Sequence, residues 1–281
     1  MTSSSPSQEQ RPNPVLLGLG RSLAFMDKLG APDFGRSMEL IGQTVLILGK
    51  TFGYILTLQI DREETFRQAY MIGVKSFIVV GITALFTGFA MSLQISRELV
   101  LFGADTSIGG VVSLALIREI GPITAGVIVA GRVGSAIAAE LTTMMITEQI
   151  DALTVMRIDP IQFLVVPRYV AAFFMLPVLS VYAMAIGLIA GIIIAQSAAN
   201  VPPATFLDSV QQTILDRDFV VHFIKSIINA TIIVSFSCAV GLTTRGGAED
   251  VGIATTRTIV WTMTMIFIFN FIVTSLTYAP R

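Results

Sequence analysis

The side chains most often used in catalysis are scarce in this sequence. It contains one histidine, His222, and one cysteine, Cys238, so it offers neither a histidine cluster nor a multi-cysteine site for a metal ion. Gly49-Lys50-Thr51 matches the end of a phosphate-binding loop, but Thr44 occupies the position of that motif's first glycine. The sequence therefore indicates no catalytic centre, and we expect this chain itself to bind no metal and no cofactor.

The strongest chemical signal is a pair of adjacent ionisable residues, Arg118 and Glu119, inside a long apolar segment. Charged groups at membrane depth are costly and mark either a transport pathway or coupling element, or a purely structural ion pair. Adjacent residues of a helix do not face each other, so each needs its own partner from another helix, water or another subunit. Gly121 and Pro122 follow directly and predict a kink or freed backbone carbonyls.

A second signal is an acidic face in the segment 135–151. Glu140, Thr143, Thr147 and Asp151 are spaced by three, four and four residues, which places them on one face of a helix, with Glu148 beside them. The opposite side is apolar and holds Ile137, Leu141, Met144 and Met145. An acidic amphipathic helix of this kind is either a docking element for a soluble partner or a solvated helix without one, and composition favours neither.

Composition shows which elements must position these residues. The chain of 281 residues is 53% hydrophobic and 13% charged, whereas a soluble domain carries about 25% charged residues. Its apolar runs are too long and continuous for the strands of a barrel, which predicts transmembrane helices. We predict an all-α polytopic membrane protein with five spans, at about 70–95, 108–130, 169–195, 223–242 and 258–278.

The segment before the first span has a different character. Residues 1–14 are polar and proline-rich and predict a disordered tail, whereas 15–69 predict interfacial or elbow helices. The part from 36 to 58 is long enough to span, but a polar stripe favours a position along the membrane interface. That stripe consists of Glu39, Gln43 and Lys50.

The distribution of basic residues predicts the orientation. Of the 18 lysines and arginines, those on outer segments are only Arg97, Arg217, Lys225 and Arg281 when the N-terminus is cytoplasmic. This orientation puts the region 132–168 and the glycine-rich loop 243–256 in the cytoplasm. Small residues recur at every fourth position in two rows, Gly126 to Ala138 and Ala183 to Ala195, which favours packing within the chain over a dimer seam.

Several short motifs, taken in order, resemble the MlaE/YrbE permeases. They are Leu116-Ile-Arg-Glu-Ile-Gly-Pro122, Ala130-Gly-Arg-Val-Gly-Ser-Ala136, Ala139-Glu140, Thr147-Glu-Gln-Ile-Asp-Ala-Leu153, Ile158-Asp-Pro160, Pro167-Arg168, Lys225-Ser226 and Thr255-Thr-Arg-Thr258. The resemblance covers roughly residues 36–279 and is nearest to the cyanobacterial and chloroplast branch. It implies an N-terminal interfacial helix, five spans and a cytoplasmic coupling helix between spans two and three.

The resemblance also implies a function. The chain would be the permease subunit of an ABC transporter that moves lipids, by default phospholipids, between membranes. A second copy of the chain, a cytoplasmic ABC ATPase that binds the ATP, and an MCE-domain substrate-binding protein on the outer side would complete the transporter. Its location would be the cell's inner (cytoplasmic) membrane as a multi-pass protein, or the plastid inner envelope in a chloroplast-bearing organism.

Site residues follow from the same resemblance. The coupling helix maps to 135–151, and the candidates to contact the ATPase are Glu140, Glu148, Gln149 and Asp151. Arg118 and Glu119 match the family's Arg-Glu pair below the lipid cavity. The positions that match the lining of that cavity are Met91, Leu99 and Phe102, with Glu98 among them where some relatives are apolar.

Two functions of other kinds stay open. An ion-coupled secondary transporter would work through Arg118 and Glu119 without an ATPase, although the sequence lacks an obvious inverted repeat. A membrane lipid-modifying enzyme would act as the purified chain alone, although the sequence lacks the necessary histidine and aspartate constellations.

Overall fold

The computed structural model describes residues 34–57 and 60–278. The chain divides into two compact units, Met1–Gly42 and Gln43–Arg281, and the described part of the first is the beginning of one helix. The architecture below is that of the second unit. The tail predicted at 1–14, and the part of the predicted elbow up to residue 33, lie outside the described residues.

The described ranges are helical and contain no strand. In chain order the helices are α1 (Phe34–Leu56), α2 (Arg62–Ile72), α3 (Val74–Leu101), α4 (Ile108–Ala115), α5 (Gly121–Val129), α6 (Ser135–Ile146), α7 (Gln149–Val155), α8 (Val166–Ala199), α9 (Pro203–Thr213), α10 (Asp216–Thr243) and α11 (Ala248–Tyr278). Wide π turns of five residues join α4 to α5 (Leu116–Ile120) and α5 to α6 (Ala130–Gly134), and another precedes α8 (Ile161–Val165).

Five helical segments are long and apolar enough to cross a membrane, which confirms the predicted all-α polytopic architecture. They are Arg62–Leu101, Asp105–Ile146, Ile161–Ala199, Asp216–Thr243 and Ala248–Tyr278. Each begins before the predicted apolar run. Even the shortest, with 28 residues, is longer than a hydrocarbon core of about 30 Å at about 1.5 Å per residue, so its polar end extends into the interface. Within the described ranges α1 is not among these five segments, and its interfacial position stays a proposal.

The prediction of one helix over 135–151 is wrong. The second span continues through the π turn into α6 and ends at Ile146. Glu148 then has a left-handed backbone with φ of 58°, and α7 begins after it. Glutamate rarely adopts this conformation, so the sequence carried no turn signal there. The glycine-rich loop is also shorter than predicted, because α10 ends at Thr243 and α11 begins at Ala248.

Small residues bring α3 and α8 into close contact. A Cβ atom added at Gly88 would lie 2.8 Å from both Cα and O of Gly187. Ser92 Oγ donates to the carbonyl of Gly191 at 3.1 Å, and the Phe77 and Tyr182 rings stack with centroids 3.8 Å apart. The two helices therefore pack as one body.

The rows of small residues serve packing within the chain, as predicted. The atoms nearest a Cβ added at Gly126 belong to Asn229, and at Gly134 to Ser237. Gly187 lies under Leu116, and Gly191 lies under Phe206 of α9.

Candidate functional site

Arg118 is paired with the buried carboxylate of Asp218 at the start of α10. Arg118 Nε donates to Asp218 Oδ1 at 2.8 Å, and Nη2 donates to Oδ2 at 3.3 Å. Tyr278, the last residue of α11, donates its hydroxyl to Asp218 Oδ1 at 2.6 Å. The Arg118 guanidinium carbon also lies 4.2 Å from the Tyr278 ring centroid, a cation–π distance. This half of the site joins the second, fourth and fifth spans.

Glu119 has a different partner, Lys225 in the first half of α10. Lys225 Nζ donates to Glu119 Oε1 at 2.9 Å, and Thr274 Oγ1 donates to the same oxygen at 2.6 Å. Asn270 Nδ2 donates to the other carboxylate oxygen. The expectation that the two neighbours need separate partners is thus confirmed. We call Arg118, Glu119, Asp218 and Lys225 the charge cluster; their formal charges cancel.

The same face of α10 satisfies backbone groups beside Pro122. Proline has no N–H, so the helix offers no backbone donor from Pro122 to the carbonyl of Arg118, four residues before it. Lys225 Nζ donates to that carbonyl at 2.6 Å, and His222 Nδ1 lies 2.8 Å from the carbonyl of Ile117. The predicted freed carbonyls are therefore present, and side chains of α10 hold them.

Three residues of this site, Asp218, His222 and Lys225, were not among the predicted site residues. All three are buried in α10, which begins before the predicted start of the fourth span. One signal was present: residues 218, 222, 225 and 229 are spaced by four, three and four, which is one helical face. This spacing was overlooked because three consecutive charged residues at 216–218 are typical of a loop.

The coupling segment, residues 135–155 in α6 and α7, presents its acidic face outward. Glu148, Gln149 and Asp151 are exposed, and none of them has an ion pair among the described residues. Glu140 is different, because its Oε2 lies 3.0 Å from Nη2 of Arg168. Beyond Asp151 lie two exposed apolar side chains: Val155, the last residue of the segment, is 84% exposed, and Met156, directly after it, is 62% exposed.

The three residues matched to a lipid cavity lie in the C-terminal part of α3 and directly after it. Met91 and Leu99 are half-buried, and Phe102 directly follows the helix and is exposed. Leu99 packs against a buried cluster that joins α4 to α9. That cluster consists of Ile108, Val112, Leu116, Ala195, Val201 and Phe206. The structure brings these three residues to one end of one helix, and their role in a cavity stays a proposal.

The end of α1 is attached to the entry of the third span by Tyr54 and Asp159. Tyr54 Oη donates to Asp159 Oδ2 at 2.7 Å, while Asp159 Oδ1 accepts the backbone N–H of Ile161 at 2.8 Å. The bond to the carboxylate raises the pKa of Tyr54 above the ordinary value of a phenol. Because the folded-state pKa is raised, this contact stabilises the fold below the ordinary phenol pKa and is lost as the pH rises through the folded value.

We expect Tyr54 to ionise at a higher pH than a free tyrosine. The measurement is the alkaline titration of phenolate absorbance in wild type and in Tyr54→Phe, whose difference isolates this residue. Tyr70→Phe, which removes an exposed tyrosine of α2, is the control. Ionisation of Tyr54 at the pH found in the denatured chain would show that the contact with Asp159 is absent in solution.

These features define a class: a helical membrane protein with five spans, a paired charge cluster in its core and an exposed acidic segment between spans two and three. The comparison with known families then places the chain. The family model described as Permease MlaE matches residues 65–276, and the chain belongs to that family.

Similar proteins are described as ABC transporter permeases. The probable ABC transporter permease protein slr1045 of Synechocystis sp. is 44% identical over 225 residues, which cover 80% of this chain and 86% of the relative. The protein TRIGALACTOSYLDIACYLGLYCEROL 1, chloroplastic, of Arabidopsis thaliana is 37% identical over 230 residues, 82% of this chain and 66% of the relative. A probable ABC transporter permease protein of Rickettsia typhi is 39% identical over 212 residues, 75% and 82% of the two chains. The first two of these relatives agree with the cyanobacterial and chloroplast branch, and all three agree with a multi-pass membrane location.

Proposed function

We propose that this chain is the permease subunit of an ABC transporter that moves lipids, by default phospholipids, between membranes. A separate cytoplasmic ATPase binds and hydrolyses the ATP. The observation that carries the proposal is the match to the MlaE permease family over residues 65–276, which includes the coupling segment and the whole charge cluster. The name of the Arabidopsis relative contains that of a glycerolipid, which supports a lipid substrate.

Apolar surface supports the same substrate class. Burying an acyl chain yields about 0.8 kcal/mol per CH₂ group, so an apolar cavity holds a lipid without a metal or a covalent bond. We propose that two copies of the chain enclose such a cavity, with Met91, Leu99 and Phe102 in its lining. In α11 a row of exposed apolar residues is available for a second copy or for lipid, and it comprises Val260, Phe267 and Phe271.

The coupling segment supports an ATPase partner. Glu148, Gln149 and Asp151 offer exposed acidic and polar groups, and Val155 and Met156 offer an apolar contact beside them. An apolar centre with a polar rim is the usual composition of a protein interface. In this proposal the ATPase pair closes on ATP, displaces the coupling segments and shrinks the cavity. An MCE-domain protein on the outer side of the inner membrane, or of the plastid envelope, exchanges the lipid.

The charge cluster weighs against the ion-coupled alternative. Arg118 and Glu119 each have a partner of opposite charge within the chain, and all four charged groups are held by further hydrogen bonds or by an aromatic ring. We propose that a cluster whose charges cancel in this way positions the spans and carries no ion during the transport cycle.

Purification of the full complex from native membranes tests the proposal. We expect mass spectrometry to identify an ABC ATPase, an MCE-domain protein and bound lipid with the chain. Recovery of the chain without any nucleotide-hydrolysing protein, together with transport driven by an ion gradient, would support the secondary transporter instead.

Charge reversal at Glu148 and Asp151 is expected to weaken binding of the ATPase. Glu148→Lys with Asp151→Lys changes the sign of an exposed acidic rim, and we expect the Kd for the ATPase to rise about tenfold or more. The measurement is titration of the purified ATPase onto the detergent-solubilised permease. Glu98→Lys with Asp105→Lys applies the same change of charge to exposed residues near the outer end of α3. Equal affinities for both double variants would contradict the assignment of α7 as the contact.

A further inference from the structure

We infer that Glu140 and Arg168 form a transmission link that carries movement of the coupling segment to the third span. This inference rests on the proposed function. It gives Glu140 a role different from the ATPase contact expected from the sequence.

The link joins a buried arginine to a half-exposed glutamate. The Arg168 side chain is 2% exposed and that of Glu140 is 50% exposed, with 3.0 Å between Nη2 and Oε2. Arg168 Nη1 is buried and has no hydrogen-bond partner within the described ranges, so Glu140 provides the only ion pair found there for this guanidinium. A buried cation that loses its carboxylate is left uncompensated, so the two groups stay together when either helix moves.

The backbones that carry the two residues scarcely touch. Helix α6 packs against α10 and α11, whereas α8 packs against α2, α3, α5 and α10. Both helices thus contact α10, but they have few backbone contacts with each other. The ion pair is therefore a direct side-chain link between two helices that are otherwise connected through α10.

From Arg168 the movement has a continuous path to the outer side. Helix α8 is in tight contact with α3 through Gly88 and Gly187, through Ser92 and Gly191, and through the stacked rings of Phe77 and Tyr182. The outer part of α3 carries the residues proposed to line the lipid cavity. A displacement of α6 thus reaches the cavity through Glu140, Arg168, α8 and α3, and Glu140 and Arg168 are positioning residues.

The test is Glu140→Gln in the reconstituted complex with its ATPase, with lipid transfer and ATP hydrolysis measured on the same sample. We expect the ATPase to remain bound and hydrolysis to stay within about twofold, while lipid transferred per ATP falls about tenfold, as for the loss of a typical coupling free energy. Glu63→Gln, which neutralises an exposed carboxylate at the start of α2, is the matched control and keeps the wild-type ratio.

Two double variants separate coupling from folding. Glu140→Arg with Arg168→Glu restores the ion pair and is expected to restore lipid transferred per ATP. Glu140→Gln with Arg168→Met removes both charges, leaves no buried charge unpaired, and is expected to fold but remain uncoupled. If Glu140→Gln alone does not fold, the lipid transferred per ATP by the neutral double variant decides the question.

Other outcomes overturn the link. A wild-type ratio of lipid to ATP in the neutral double variant would show that the pair transmits nothing. Loss of the ATPase from the Glu140→Gln complex would make Glu140 a docking contact instead. Absence of ATP-dependent lipid transfer by the wild-type complex would refute the proposed function itself. This outcome is distinguishable because it is measured on the wild type, without any substitution.

Discussion

Lys225→Met is expected to lower the thermal unfolding midpoint by about 6–20 °C. The Nζ atom of Lys225 holds three oxygens at once: the Arg118 carbonyl at 2.6 Å, Glu119 Oε1 at 2.9 Å and Thr274 Oγ1 at 2.6 Å. Methionine keeps the length and apolar stem but leaves the carboxylate and the carbonyl beside Pro122 without this donor. Breaking one partner of a buried ion pair costs about 3–5 kcal/mol, and each kcal/mol shifts the midpoint by about 2–4 °C in a chain of this size.

The measurement is thermal unfolding of the detergent-solubilised protein. Lys75→Met is the matched control, because it removes an exposed lysine at the N-terminal end of α3. Glu119→Gln with Lys225→Met removes both charges and is expected to recover part of the loss. A midpoint for Lys225→Met equal to that of Lys75→Met would show that the charge cluster does not hold the spans together.

Gly88→Leu is expected to separate α3 from α8 and to abolish lipid transfer. A Cβ atom at this position lies 2.8 Å from Cα and O of Gly187 and 2.9 Å from Cβ of Ala190. Two of these contacts are with backbone atoms of Gly187, so no change of a side-chain rotamer can relieve the clash. Overpacking of this kind costs about 1–3 kcal/mol or more, and the helix pair on which the cavity depends loses its packing.

A graded series makes the steric cause testable. Gly88→Ala should lower the unfolding midpoint and Gly88→Leu should lower it further. Gly252→Ala and Gly252→Leu, in α11 where no atom lies within 4 Å of an added Cβ, should leave it nearly unchanged. The same small effect at both positions would contradict the close approach of α3 and α8.

The architecture was predictable because it depends on long-range composition. Apolar runs near 20 residues determine how many helices cross the membrane, and they do so without knowledge of packing. The helix ends were not predictable to the same degree. Polar residues at the start of a span read as a loop, so the sequence placed the start of the fourth span at 223, whereas α10 begins at Asp216.

The candidate site was half predictable. Arg118 and Glu119 were identified because charge inside an apolar run is conspicuous, and the need for two partners followed from helical geometry. The identity of their partners, Asp218 and Lys225, could be predicted only by knowing which spans pack together. A single sequence does not reveal that packing. The break at Glu148 was missed because glutamate rarely adopts a left-handed backbone, so the residue type gave no signal of a turn.

We propose that this chain moves lipid only with energy from a separate ATPase. The most direct measurement is transfer of labelled phospholipid from proteoliposomes that contain the purified chain, with and without its ATPase and ATP. We expect transfer to require both, and to be insensitive to ion gradients. Transfer by the chain alone along a proton or sodium gradient, or chemical conversion of the lipid by the chain alone, would contradict the claim.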